Sequence, residues 1–231
     1  MEINADFSER VVVHSNELDW IPSPMAGVSR RPLDRVGGEV ARATTIVKYD
    51  PDSHFSPHVH TGGEEFIVLE GVFQDEHGDF PAGSYIRNPP QSKHQPRSEP
   101  GCVIFVKLWQ FDMEDRSHVR MRMDHMPPVP HRAFDGVAIT PLFSDAVEDV
   151  FILTLDPNTP HAVEAPGGVE ALVLSGEASE SSEFLQKDSW IRIPAGSQMN
   201  LTAGSEGVRL WIKTGHLGRV DEEVARVNAL Q

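Results

Sequence analysis

The chain repeats itself, and that repeat constrains its fold more than any other feature. Residues 62–71 read GGEEFIVLEG and residues 167–176 read GGVEALVLSG, an offset of 105 residues. The same offset pairs SYIRNPP (84–90) with SWIRIPA (189–195), and one further residue pairs CVIFVK (102–107) with VRLWIK (208–213). Three blocks in one order at nearly one offset mark a duplicated domain. A solenoid repeat would recur every 20–50 residues or so.

Both copies read as β structure. ATTIVKY (43–49), FIVLEGVF (66–73), SYIRN (84–88) and CVIFVKLW (102–109) are short and rich in β-branched and aromatic residues. Asp50-Pro51, Gly62-Gly63, Gly78-Asp79, Pro89-Pro90 and Pro100-Gly101 bound them as turns. VFILTL, ALVLSG, SWIRIP and VRLWIK repeat the pattern in the second copy. The expectation is an all-β chain of two tandem jelly-roll-like barrels. Residues 1–40 form an arm with one extra strand at VVV (11–13) and then a loop. Residues 41–112 are the first domain. Residues 113–136, with Pro127-Pro128 and Pro130, are a linker or crossing strand in which Met121 and Met123 alternate with Arg120 and Arg122. Residues 137–216 are the second domain. In residues 217–231, Val220, Val224, Val227 and Leu230 recur at helical spacing, which predicts a terminal helix.

Charge and cysteine content narrow the function classes. Lys+Arg 20 against Asp+Glu 35 gives a net charge of −15. A field of that sign repels phosphate backbones and anionic membrane surfaces, so neither nucleic acid nor membrane is an expected partner. The single cysteine, Cys102, excludes a disulfide framework and any Cys-cluster zinc site, and points to a reducing cytoplasm. The opening residues, MEINADFSER, carry no apolar run and do not read as a signal peptide. Cys102 sits in an apolar strand and is expected to be buried and inert.

Chemistry concentrates in SPHVHTGGEEF. His58 and His60 stand two apart, which puts both rings on one face of a strand. Glu64 follows across Gly62-Gly63, where the backbone can turn its carboxylate toward the same point. His94 comes 30 residues later, presented by the turn after Pro89-Pro90. Three imidazoles and a carboxylate form a coherent set for one divalent metal: zinc or iron first, with nickel, cobalt or manganese as alternatives. Glu65 has the opposite parity and is expected to be solvated or to support a ligand. His54 lies off the pattern. Tyr85, Arg87, Gln91 and Lys107 are candidates for lining a pocket.

These residues resemble the cupin signature, G-x5-H-x-H-x3,4-E-x6-G followed by G-x5-P-x2-H-x3-N. His58, His60, Glu64 and Gly71 match the first motif, and Gly83, Pro89 and His94 the second. Asp52 replaces the opening Gly, an extra residue separates Pro89 from His94, and Ser98 replaces the final Asn. The finer resemblance is to the ChrR-like cupins, named for the C-terminal domain of the anti-sigma factor ChrR. It covers roughly residues 18–112 well, and residues 137–214 as a degenerate second cupin. It implies two tandem cupin barrels, with zinc held by His58, His60, Glu64 and His94. The separate zinc domain with which ChrR holds its sigma factor uses paired cysteines, which this chain lacks. Cupins commonly pair through exposed strand edges, so the resemblance implies either a homodimer or a bicupin that satisfies its own edges as a monomer.

The repeat provides an internal control. The positions equivalent to the four ligands are Val163, Ala165, Val169 and Met199, while the framework Gly167, Gly168, Gly176 and Pro194 is kept. One metal per chain, in the first copy, is therefore expected, with His161 a loop residue. Three functions follow: a metal-dependent enzyme acting on a small molecule, of the cupin dioxygenase kind if iron is bound; a ChrR-like regulatory module that senses a small molecule through zinc; or, ranked last because structural zinc sites usually use Cys, a purely structural metal. No catalytic residue can be assigned from sequence.

Overall fold

The structure, a computed structural model, describes residues 2–231. β structure dominates, and no helix among the described residues is long and apolar enough to cross a membrane. The chain divides into two compact units. One takes the chain up to Ala5, together with Asp19–Met123 and Asp221–Gln231; the other takes Asp6–Leu18 and Asp124–Val220.

In the first unit, the antiparallel order runs Glu2–Ile3, Val28–Gly37, Ala41–Tyr49, Cys102–Leu108, Glu64–Asp75, Ser84–Asn88, Val119–Arg122. A separate two-stranded ribbon pairs His58–His60 with Ser92–His94. The second unit runs Val129–Pro130, Val137–Ser144, Asp149–Leu155, Ser197–Thr214, Val169–Glu180, Ser189–Ile193, Val11–His14. The duplication therefore reaches down to individual residue pairs. The Glu64–Asp75 ladder slips between Val103 and Ile104, leaving Leu69 unpaired, and the Val169–Glu180 ladder slips at the equivalent Leu174.

The termini differ from the sequence expectation. Residues 1–40 hold a ten-residue strand, Val28–Gly37, where a loop was expected, because Ser29, Arg31 and their neighbours pair along the whole of Ala41–Tyr49. Of the two readings of the 113–136 segment, linker or crossing strand, the structure has the strand. Its strand Val119–Arg122 pairs with Ser84–Asn88 in the first unit, as Val11–His14 pairs with Ser189–Ile193 in the second. Each strand leads into a short 3-10 turn, Met123–His125 and Ser15–Glu17. The leading strand of each copy thus completes the other copy's sheet. The terminal helix spans Val220–Asn228, and from Asp221 on it belongs to the first unit, where Glu223 accepts from Arg42 at 2.7 Å.

Each unit has its own apolar core. Val47, Phe66, Phe73, Ile86, Ile104 and Val106 lie at the centre of the first. The core of the second takes in Val163, Ala165, Val169 and Met199, the counterparts of the four candidate ligands.

A polar layer repeats on the opposite face of both sheets. Glu65 accepts from the Tyr85 hydroxyl at 2.5 Å, and Arg87 reaches Asp115 at 2.9 Å. In the second unit, the equivalent Glu170 accepts from Trp190 at 3.3 Å and meets His216 at 2.9 Å. Lys107 bonds Thr44, and its counterpart Lys213 pairs with Glu148. A layer kept in both copies, while the candidate ligands occur in only one, belongs to the architecture.

Within each central strand, just past the slipped ladder, one position needs glycine. At Gly71, φ is +69° and a Cβ would stand 2.0 Å from the Gly101 carbonyl oxygen; at Gly176 the corresponding distance is 2.2 Å. Gly71→Ala should therefore destabilise the protein by about 2 kcal/mol or more through combined strain and clash. Gly78→Ala, at a positive φ but with nothing within 4 Å, should cost less. Thermal unfolding of the two variants decides this, and equal midpoints would refute it.

Candidate metal centre

Strand parity builds the site. His58 stands directly opposite His94 in the ribbon, and His60 follows on the same face. The three rings form a triangle, with centroids 4.8 Å (His58–His60), 5.1 Å (His58–His94) and 4.6 Å (His60–His94) apart. One ring nitrogen from each lies within 4.8 Å of the others. The turn at Gly62-Gly63 is forced tight by aromatic rings: a Cβ on Gly62 would sit 2.0 Å from the Trp109 ring, and one on Gly63 2.5 Å from the Phe111 ring. It delivers Glu64 Oε2 to 3.4 Å from His60 Nε2 and 3.7 Å from His94 Nε2. All four sequence candidates therefore meet at one place.

Hydrogen bonds aim these groups. His94 Nδ1 meets Asp75 Oδ2 at 3.2 Å, His58 Nδ1 meets the Ser56 carbonyl oxygen at 3.2 Å, and Asn88 Nδ2 donates to Glu64 Oε2 at 3.2 Å. The Nε2 edges of His60 and His94 are buried without a hydrogen-bond partner. Burial holds His60 below the ordinary imidazole pKa, with Glu64 opposing and the other two imidazoles adding to the depression. Burial acts the same way on His94, but the Asp75 hydrogen bond and the Glu64 and Asp75 charges outweigh it, so its proton affinity ends above the ordinary value.

His58, His60 and Glu64 form one wall of a cavity of about 380 Å³ in the first unit. Its other walls carry Val47, Tyr49, Phe55, Ile104, Val106 and Trp109, with Arg30, Arg35 and Glu39 among the polar groups. The Tyr49 hydroxyl is pushed well above its usual range by burial and by the Glu64 charge, so it stays neutral.

Several sequence expectations change here. Tyr85, Arg87 and Lys107 do not line this cavity, because their strand positions point to the opposite face and into the polar layer. Glu65 is in that layer too, buried at 1% exposure rather than solvated, since the sheet is covered on both faces. Gln91 is exposed in the turn at φ +70°. His54 is exposed, and pairs with Arg97 in a short ribbon. His161 lies in the second unit, its ring 5.3 Å from Phe134. Sequence reasoning missed Asn88 and Asp75, which orient ligands, and Arg30 and Arg35. The repeat carried a signal for the first of these: Asn88 becomes Ile193 in the copy without ligands.

Residues 8–112 match the family described as the ChrR cupin-like domain. This segment is a ChrR-like cupin domain. Solved structures similar to the chain are cupin-fold proteins. A candidate dioxygenase from Nostoc punctiforme is 16% identical, with a TM-score of 0.76 over 91% of this chain and 84% of that one. Protein Ylba from E. coli is 14% identical, with a TM-score of 0.69 over 91% and 93%. A deletion mutant of Bacillus subtilis oxalate decarboxylase is 12% identical, with a TM-score of 0.62 over 88% and 76%. At these identities the likeness speaks for the fold. No curated protein matches the chain in sequence.

The cupin domain's one thiol is chemically quiet. Cys102 is buried, and burial pushes its pKa up to about 11 against a weaker opposing hydrogen bond from Ser98. At pH 7.5 a disulfide reagent should label it far more slowly in the native protein than in urea. Comparable rates would contradict a buried, protonated thiol.

Proposed function

We propose that His58, His60, Glu64 and His94 hold one divalent metal ion per chain, and that the protein uses it to act on or sense a small molecule in the adjoining cavity. The observation that carries this reading is the pair of orphaned nitrogens, His60 Nε2 and His94 Nε2, buried around the Glu64 carboxylate. A buried polar atom without a partner costs about 1–3 kcal/mol, and a metal ion would satisfy both at once. The donor set suits zinc or iron, with nickel, cobalt and manganese as alternatives. Each unit is read as one barrel of a bicupin, with the second barrel's ligand positions filled by its core, and the setting as the reducing cytoplasm that a lone thiol favours.

A bound divalent ion would supply a Lewis-acidic position at the cavity wall, and iron would add dioxygen chemistry. The chain's own residues do the rest. Asp75 and Asn88 keep His94 and Glu64 aimed. Val47, Phe55, Ile104 and Val106 keep the wall beside them dry, and Tyr49 offers a neutral hydroxyl as a hydrogen-bond donor. The Nostoc and Bacillus neighbours, described as a candidate dioxygenase and an oxalate decarboxylase, support an enzyme. The second reading, a ChrR-like sensing module with zinc, is favoured by the family match of residues 8–112.

Metal analysis of untagged protein from defined medium, with oxygen uptake followed over a panel of diketones and aryl ketones, separates the two. Iron near one per chain with substrate-dependent uptake selects the enzyme; zinc without uptake selects the sensor. Under either reading, His60→Ala and His94→Ala should abolish metal loading, and metal should raise the thermal midpoint of the wild type. Asn88→Ile installs the residue that the second copy carries at this buried strand position, and should weaken metal binding about 10–100-fold while the protein stays folded. Wild type that takes up no metal would overturn the proposal.

Binding requires neutral imidazoles. Because the His94 proton affinity is raised, protons compete for it more strongly than for an ordinary imidazole, and metal affinity should fall as the pH is lowered. Protein desalted at pH 7.5 should keep its metal, and protein desalted at pH 5.5 should lose most of it. Full retention at the lower pH would contradict this.

A further inference from the structure

The cavity lined by the candidate ligands also carries two arginines whose presence there depends on a bulge. Along Val28–Gly37, residues two apart share a face, so Arg30 and Arg35, five apart, should point to opposite faces. The ladder slips between Pro32 and Asp34, leaving Leu33 unpaired, and the parity inverts. Arg30 then stands opposite Val47 and Arg35 opposite Ala43, both on the inner face, and both guanidinium side chains line the 380 Å³ cavity. Arg35 is tethered by its donation to the Gly38 carbonyl oxygen. Among the described residues, neither arginine has a carboxylate within ion-pair distance, and the only other acid on the lining besides Glu64 is the exposed Glu39. The two like charges are close enough that Arg30 joins burial in lowering the Arg35 pKa.

The second copy supplies the comparison. Its strand Val137–Ser144 has the same bulge after Pro141, and there Ile139 and Ser144 stand where the first copy has Arg30 and Arg35. Its interior is filled, with Leu153, Leu210 and Ile212 in place of Val47, Ile104 and Val106. The arginine pair, the hollow and the histidine cluster occur together in one copy and are lost together in the other.

We propose that this cavity takes an organic acid: an apolar body against Val47, Phe55 and Ile104, a carboxylate on Arg30 and Arg35, and its other end at the His58–His60–Glu64 wall. The inference deepens the metal-site reading by assigning a ligand class, and its size falls within the range of about 300–1,000 Å³ common for small-molecule sites. Two half-buried guanidiniums without a carboxylate partner hold uncompensated charge, and a carboxylate offers each a charge-assisted hydrogen bond.

Titration calorimetry with two probes tests it: phenylpyruvate, and phenylacetone, in which a methyl group replaces the carboxylate. Wild type should bind the acid at least about tenfold tighter than the ketone, the return expected from a hydrogen bond to a charged group. Arg30→Ile with Arg35→Ser introduces the second copy's residues on an equivalent bulged strand. It should erase that preference while leaving metal content and phenylacetone binding unchanged. The titrations are repeated on metal-stripped protein, where the preference should persist because the arginines carry it. A wild type that takes no metal yet prefers the acid would reject the metal reading and leave this proposal standing. Equal affinity for the two probes, no saturable binding of the acid, or a preference that survives the double substitution would overturn it.

Discussion

Strand parity, and the few places where it is broken, governs this molecule. In an antiparallel sheet successive side chains alternate faces, so a single sequence position decides whether a group meets the interior or the opposite surface. His58 and His60 share a face because they are two apart, and His94 joins them because it is paired across the ribbon with His58. Glu64 and Glu65 are neighbours with different fates: one faces the histidines, and the other is bonded to Tyr85 on the far side. Where parity would send a residue the wrong way, a bulge corrects it, as at Leu33 between the two cavity arginines.

The duplication separates architecture from chemistry within one chain. Both copies keep the slipped ladder at Leu69 and Leu174, the positive-φ glycines at 71 and 176, and the buried Glu-to-aromatic contact beneath the sheet. A fold must keep its turns and satisfy its buried charges whether or not it binds anything. The histidines, Asn88 and the inward arginines are under no such obligation. In the second copy the histidine, Asn88 and Arg30 positions became Val163, Ala165, Met199, Ile193 and Ile139, which are buried within or packed against its core, and the Arg35 position became Ser144. Filling the interior with apolar side chains is the ordinary route to stability. The first copy forgoes part of that gain to keep a hollow beside a polar cluster, a common trade where binding is required.

The site is also supported from a distance. His94 depends on Asp75 at the end of a neighbouring strand, and Glu64 depends on Asn88 from the next strand of the sheet. These partners sit on sheet strands rather than loops, so their geometry is set by the ladder hydrogen bonds. Tight packing of Trp109 and Phe111 against Gly62 and Gly63 holds the intervening turn in place.

The sequence by itself determined the β character, the duplication and the four residues that converge, because parity and turn chemistry are local and need no knowledge of what lies opposite. It determined equally that the second copy lacks those groups. Tertiary structure alone decided three things. It decided which sheet each leading strand joins, since Val11–His14 and Val119–Arg122 carry no label for their partner and find it only through long-range pairing. It decided that Glu65, Arg87 and Lys107 are buried in a polar layer, since both faces of the sheet are covered and alternation alone cannot reveal that. And it decided that Arg30 and Arg35 share the cavity, because a bulge is a property of two paired strands and is invisible in either one alone.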